Sequence, residues 1–115
     1  MLSPTFADQT NETVSNYDNT QLLKTTIPMN IPSDNTLPWA SVYGTIENHA
    51  DGYPVIIQIY QNGDAVHFGQ TNVDDNGSYE YEFRVRSVNG DNVIKIFEGD
   101  YEVRIFKTIN VTFYS

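Results

Sequence analysis

The sequence contains no cysteine. That absence excludes a disulfide framework, thiolate zinc and iron–sulfur sites, and a cysteine nucleophile. Basic residues are scarce: 6 Lys and Arg stand against 15 Asp and Glu, for a formal net charge of -9. Nucleic-acid phosphates require a basic face, so a nucleic-acid partner is excluded. Long apolar runs are missing too, and none approaches the about 20 residues that span a bilayer. No stretch holds the ~3.6-residue apolar period over the about 11 residues a helix needs.

Catalytic groups are equally sparse. His49 and His67 are the only histidines, and neither has a Ser, Cys or His partner at a recognisable spacing. A hydrolytic triad and a histidine metal site with a third ligand are therefore not expected. Glu80 and Glu82 fall on the outward face of a strand beside Arg84 and Arg86, which suits a charge ladder better than the cleft a glycosidase needs. The chain reads as non-catalytic and without a cofactor.

What is present is the chemistry of strands and turns. There are 12 Asn, 11 Thr, 8 Tyr and 6 Phe; aromatic and β-branched residues suit a pleated surface, and Asn suits its turns. The composition changes at Pro38-Trp39. Residues 1–38 hold four of the five prolines and few large apolar groups, so alone they form an extended arm. Residues 39–115 break into short alternating runs separated by Asn, Asp and Gly. Strands are expected over 41–47, 54–60, 65–73, 78–86, 93–97, 101–107 and 108–114. Tyr79, Tyr81, Phe83 and Val85 share one face of the fourth, and Tyr101, Val103 and Ile105 share the inner face of the sixth. Asn62-Gly63 suits a tight hairpin, and Gly77 suits a reversal needing positive φ. Tyr79 and Tyr101 each follow a turn and point inward, where the phenol can bond a turn carbonyl. Seven strands with turns every few residues predict an all-β, two-sheet, immunoglobulin-like sandwich preceded by the arm.

Several of these motifs together resemble a known group. They are Val42-Tyr43-Gly44-Thr45-Ile46, Tyr53-Pro54-Val55-Ile56-Ile57-Gln58-Ile59, the stretch from Thr71 to Tyr79 with its Asp-Asn-Gly-Ser-Tyr turn, and Gly99-Asp100-Tyr101-Glu102-Val103. In this order they resemble the transthyretin-like and macroglobulin-like β-sandwich modules of secreted and cell-surface proteins, including repeats of archaeal surface proteins. The resemblance implies an extracellular, non-catalytic module, and it does not cover the arm.

Export has its own signals. Residues 3–9 resemble the end of a secretory signal, with small and polar residues and an Ala before a polar start. Three glycosylation sequons begin at Asn11, Asn76 and Asn110. Asn76 sits at a turn tip and Asn110 on the outward side of its strand, both open to a glycan.

The arm carries the functional expectation. Leu23, Thr25, Ile27, Met29 and Ile31 are spaced by two, a strand pattern, and Pro28 and Pro32 assign it to a sheet edge. An isolated strand is unstable and needs another edge to pair with. Residues 22–31 either fold back on their own sandwich or lie along a neighbouring copy, with Leu23, Ile27, Met29 and Ile31 as interface residues. Head-to-tail insertion that does not close propagates a filament. A small module without disulfides gains from any added strand, which favours the second arrangement. The expected protein is an extracellular filament or surface-layer subunit whose partners are copies of itself. The alternative is a carbohydrate- or calcium-binding module. Its calcium ligands would be Asp74, Asp75 and Asn76 with Asp51 or Asp100, and its sugar platform the outward side chains Ile56, Tyr60, Phe97, Phe106 and Tyr114.

Overall fold

The computed structural model describes residues 10–17 and 19–111, and every regular element among them is a β-strand. In chain order these are β1 (Thr10–Tyr17), β2 (Thr20–Ile31), β3 (Trp39–Thr45), β4 (Val55–Gln61), β5 (Asp64–Thr71), β6 (Ser78–Arg84), β7 (Arg86–Asn89), β8 (Asn92–Lys95) and β9 (Gly99–Asn110). Five of them form one antiparallel sheet in the order β1-β2-β9-β4-β5. β3 pairs with β6, and β7 with β8, as separate two-stranded sheets.

The alternating sequence explains why these segments are strands. In β4, Val55, Ile57 and Ile59 are fully buried while Ile56, Gln58 and Tyr60 are half-buried on the other face. In β9, Tyr101, Val103 and Ile105 point inward, and in β2 Ile27, Met29 and Ile31 do so. These rows join Ala40 and Val42 of β3 and Tyr79 and Phe83 of β6 in a single core cluster. Each fully buried Ile or Val adds about 1.5–3 kcal/mol, so the arm strand is a large contributor to the core it enters. Toward one end the cover thins: Leu23, Lys107 and Ile109, on the same inward rows, are only half-buried, and β1 is exposed from Asn11 to Asn16.

The turns follow their residue chemistry. β4 and β5 are joined through Asn62 and Gly63, both at positive φ (53° and 83°), a geometry that matches the twist of a tight hairpin. Tyr101 does what its position after a turn suggests. Its hydroxyl accepts a bond from the Glu98 N–H at 2.7 Å and donates to the Glu98 carbonyl at 3.0 Å.

The all-β class agrees with the sequence, but the described strands number nine rather than seven. β1 and β2 come from residues assigned to the arm. The strand expected over 78–86 ends at Arg84, and β7 begins at Arg86. The two strands expected over 101–107 and 108–114 are one, β9, which pairs with β2 without a register shift from Gly99 to Asn110 and carries Lys107 on its inward row. Residues 112–114 lie outside the described ones.

Candidate functional site

The interface residues anticipated from sequence all lie on β2. This strand pairs residue for residue with β9 along its whole length, from Thr20 opposite Asn110 to Ile31 opposite Gly99. Ile27, Met29 and Ile31 are 1–2% exposed, whereas Leu23 is half-buried. The pairing here is within one chain. Polar groups fix the register at both edges. Thr25 Oγ1 donates to Asn11 Oδ1 at 2.7 Å, Lys24 Nζ lies 3.5 Å from Glu12 Oε2, and Asn30 Nδ2 donates to Asp100 Oδ1 at 2.7 Å.

Beyond Ile31 the chain reaches β3 through residues 32–38, of which all but Asn35 are exposed. Four contacts tie this linker to residues 85–95 of the chain, and in each a linker carbonyl accepts, while Asn35 bonds within the linker to Pro32 and Leu37. Lys95 Nζ donates to the Ser33 carbonyl (2.8 Å), Arg86 Nη1 to that of Thr36 (3.1 Å), and the N–H groups of Val85 and Arg86 to that of Pro38 (2.8 and 3.3 Å).

Two neighbouring hollows of about 310 and 200 Å³, the first bordered by Leu23, open between β2 and β9 on one side and the end of β3 on the other. Thr45 and Lys107 line both. Burial holds the Lys107 ammonium below its usual pKa, with its Nζ 6.0 Å from the Tyr79 ring. The same desolvation pushes the Tyr79 phenol up to about 12.

The sequon asparagines are all exposed. Asn11 Oδ1 is held by Thr25, and Asn110 Nδ2 donates to the His49 carbonyl at 3.3 Å. At the turn, Asn76 Oδ1 accepts from the Ser78 N–H (3.0 Å) and Oγ (2.7 Å). Ser78 Oγ also lies 3.1 Å from Asp74 Oδ2, so the acidic turn spends two of its oxygens on its own serine. Among the described residues no group of three or more His, Cys, Asp or Glu side chains is placed to hold a metal ion. Asp51 and Asp75 border one hollow, while Asp100 borders a different one.

Of the outward side chains expected to make a sugar platform, Ile56, Tyr60 and Phe106 do face outward, half-buried. Phe97 does not. β8 ends at Lys95, the N–H groups of Ile96 and Phe97 both donate to the Val85 carbonyl, and the Phe97 ring turns into the core at 6% exposure. Tyr114 lies outside the described residues. Exposed aromatics not anticipated are Trp39, Tyr43, Tyr53 and Phe68.

A ring cluster joins the two main sheets. His67 of β5 lies 5.8 Å, centroid to centroid, from each of Tyr81, Phe83 and Phe97, and its Nε2 is 2.7 Å from the Tyr81 hydroxyl. Gly69 makes room for the phenol, since a Cβ there would overlap the Tyr81 ring. The other histidine, His49, has its Nε2 3.5 Å from Asp51 Oδ1.

Comparison with family models, curated proteins and solved structures finds no match. The class defined by the fold is an all-β protein of several sheets. No helix among the described residues is long and apolar enough to cross a membrane.

Proposed function

We propose that the chain is a non-catalytic, extracellular structural subunit that polymerises by exchanging its N-terminal strand between copies. In this reading β2 of one copy takes, in the next, the place beside β9 that it takes here beside its own. The module is a two-layer, immunoglobulin-like sandwich, with the β3–β6 pair as the second layer over the five-stranded sheet.

One observation carries the reading. β2 places three large side chains in the core, yet its covalent connection to β3 and the strands that follow is an exposed linker, 32–38, that carries a proline at each end. Such an element can leave its own body and make the same contacts on another, at no loss of buried area. The exchange is heterologous, because the donor strand and the acceptor edge are different surfaces, so copies add head to tail. Both the arm (net charge -3) and residues 39–115 (net charge -6) are acidic, so attachment rests on backbone pairing and the apolar row rather than on charge. Exposed sequons at Asn11, Asn76 and Asn110 fit a glycosylated surface protein.

The test uses the absence of native cysteine. Leu22 and Thr108 are direct partners across β2 and β9. Two single variants, Leu22→Cys and Thr108→Cys, are mixed and oxidised. A covalent heterodimer is expected, with filaments in electron micrographs of the wild type. If the mixture gives no cross-linked pair while the double variant closes within one chain, strand exchange is wrong.

A further inference from the structure

The outward face of the five-stranded sheet has a built feature near the Asn62-Gly63 turn, on the side opposite the buried apolar row of β2. Three neighbouring strands contribute to it in register. Tyr60 of β4, Glu102 of β9 and Pro28 of β2 lie in one row, and Arg104 stands one row along β9. The Arg104 Cζ sits 3.8 Å from the centre of the Tyr60 ring, and its Nε donates to Glu102 Oε2. The Tyr60 hydroxyl donates to Gln58 Oε1 at 3.2 Å. The hydrogen bond to Glu102, with the carboxylate's charge, also raises the guanidinium pKa. These bonds hold the side chains in place before any ligand arrives, which reduces the entropy lost on binding.

The hollow beside them is about 530 Å³ and is bordered also by Asn62 and Asp100. That volume lies within the range of small-molecule sites. We propose that this hollow binds an uncharged sugar, with Tyr60, Glu102 and Arg104 as its principal contacts.

The donor and acceptor set selects this ligand class. A sugar hydroxyl both donates and accepts, and here carboxylates accept, a guanidinium donates and the Asn62 amide does both. A phosphate or sulfate would meet two carboxylates, Asp100 and Glu102, around one arginine. An ammonium group would meet the arginine. The C–H faces of a pyranose need apolar surface, which Pro28 and the part of the Tyr60 ring that Arg104 leaves accessible supply on either side of Glu102. The proposal does not depend on which copy supplies β2, since Pro28 lies beside Glu102 in the same register whether β2 is the chain's own or a neighbour's.

The test is saturation-transfer NMR on the intact chain, which reads the sugar signals whether the protein is monomeric or assembled. The probes are glucose, galactose, mannose, N-acetylglucosamine and their β-linked disaccharides. At least one should bind with a Kd of order 1 mM, little changed by salt. Tyr60→Ala and Arg104→Gln should each weaken binding at least tenfold with the circular dichroism spectrum unchanged. Trp39→Ala, on the outer face of the β3–β6 pair, should leave it unaltered. Silence from every neutral sugar overturns the proposal, as does binding confined to sulfated or phosphorylated sugars, or binding that depends on Trp39 instead of Tyr60.

Discussion

The imidazole Nε2 of His67 and the hydroxyl of Tyr81 lie 2.7 Å apart, joining β5 of one sheet to β6 of the other. Burial lowers the His67 pKa below 6.5. Between that depressed value and 6.5 the unfolded chain takes up a proton that the folded chain refuses. The contribution of His67 is therefore complete above 6.5 and is lost as pH falls through the folded pKa. Thermal melts at descending pH should show wild type losing more stability across this window than His67→Phe. Parallel curves for the two proteins would remove His67 as the cause.

Tyr79 gives the opposite limb. Its phenol is held at about 12 in the folded chain against 10.0 for the free group, because burial penalises the phenolate. The folded state keeps its proton where the unfolded state loses it, so the stability from Tyr79 is intact below 10.0 and disappears as pH rises through about 12. Tyr79→Phe should flatten the alkaline part of the stability profile. Ultraviolet titration of the phenols should show one fewer late-titrating group in the variant.

Gly69 and Tyr81 should behave as a coupled pair. Gly69→Ala puts a methyl group into the phenol ring, and overpacking of this kind costs about 1–3 kcal/mol. In a Tyr81→Leu background the same substitution should cost markedly less, because the obstructing ring is gone. Denaturant midpoints of the four proteins give the coupling. Strict additivity would mean that the overlap is relieved elsewhere.

The apolar row of β2 should be graded along its length. Ile27 and Ile31 are 1% exposed, so truncation of either to Ala should cost about 2–5 kcal/mol. Leu23 borders a hollow and is only half-buried, so Leu23→Ala should cost clearly less. Guanidinium unfolding of the three variants measures the gradient. Equal losses would place Leu23 in the core with the others.

Much of the fold could be read from residue order because β4, β6 and β9 up to Ile105 alternate cleanly and Asn62-Gly63 marks its hairpin. Two differences between sequence and structure concern where an apolar period stops. Lys107 occupies an inward position of β9, and a lysine there makes one long strand look like two. Phe97 reads as outward only if the alternation of β8 continues past Lys95, where pairing with Arg86–Asn89 has already ended and the chain turns its ring inward.

β1 was invisible for another reason. Its residues from Asn11 to Asn16 are exposed and carry no alternating apolar set, so only the free edge of β2 makes them a strand. The sugar-site hypothesis was partly legible. Tyr60 could be placed outward from its strand, but the meeting with Arg104 and Glu102 depends on β4 lying beside β9, a neighbour relation that local sequence does not encode.

The β2–β9 ladder has a mechanical consequence. Ile31, where β2 leaves the sheet, and Asn110, where β9 ends, lie at opposite ends of the twelve paired positions. Tension applied at those two points runs along the strands, so the backbone bonds between them share the load and must break together rather than one after another. Force-extension curves of a chain pulled from residues 31 and 110 should show one high rupture, and pulling from 31 and 99 a low, stepwise one. A ladder oriented in this way resists traction along its own axis.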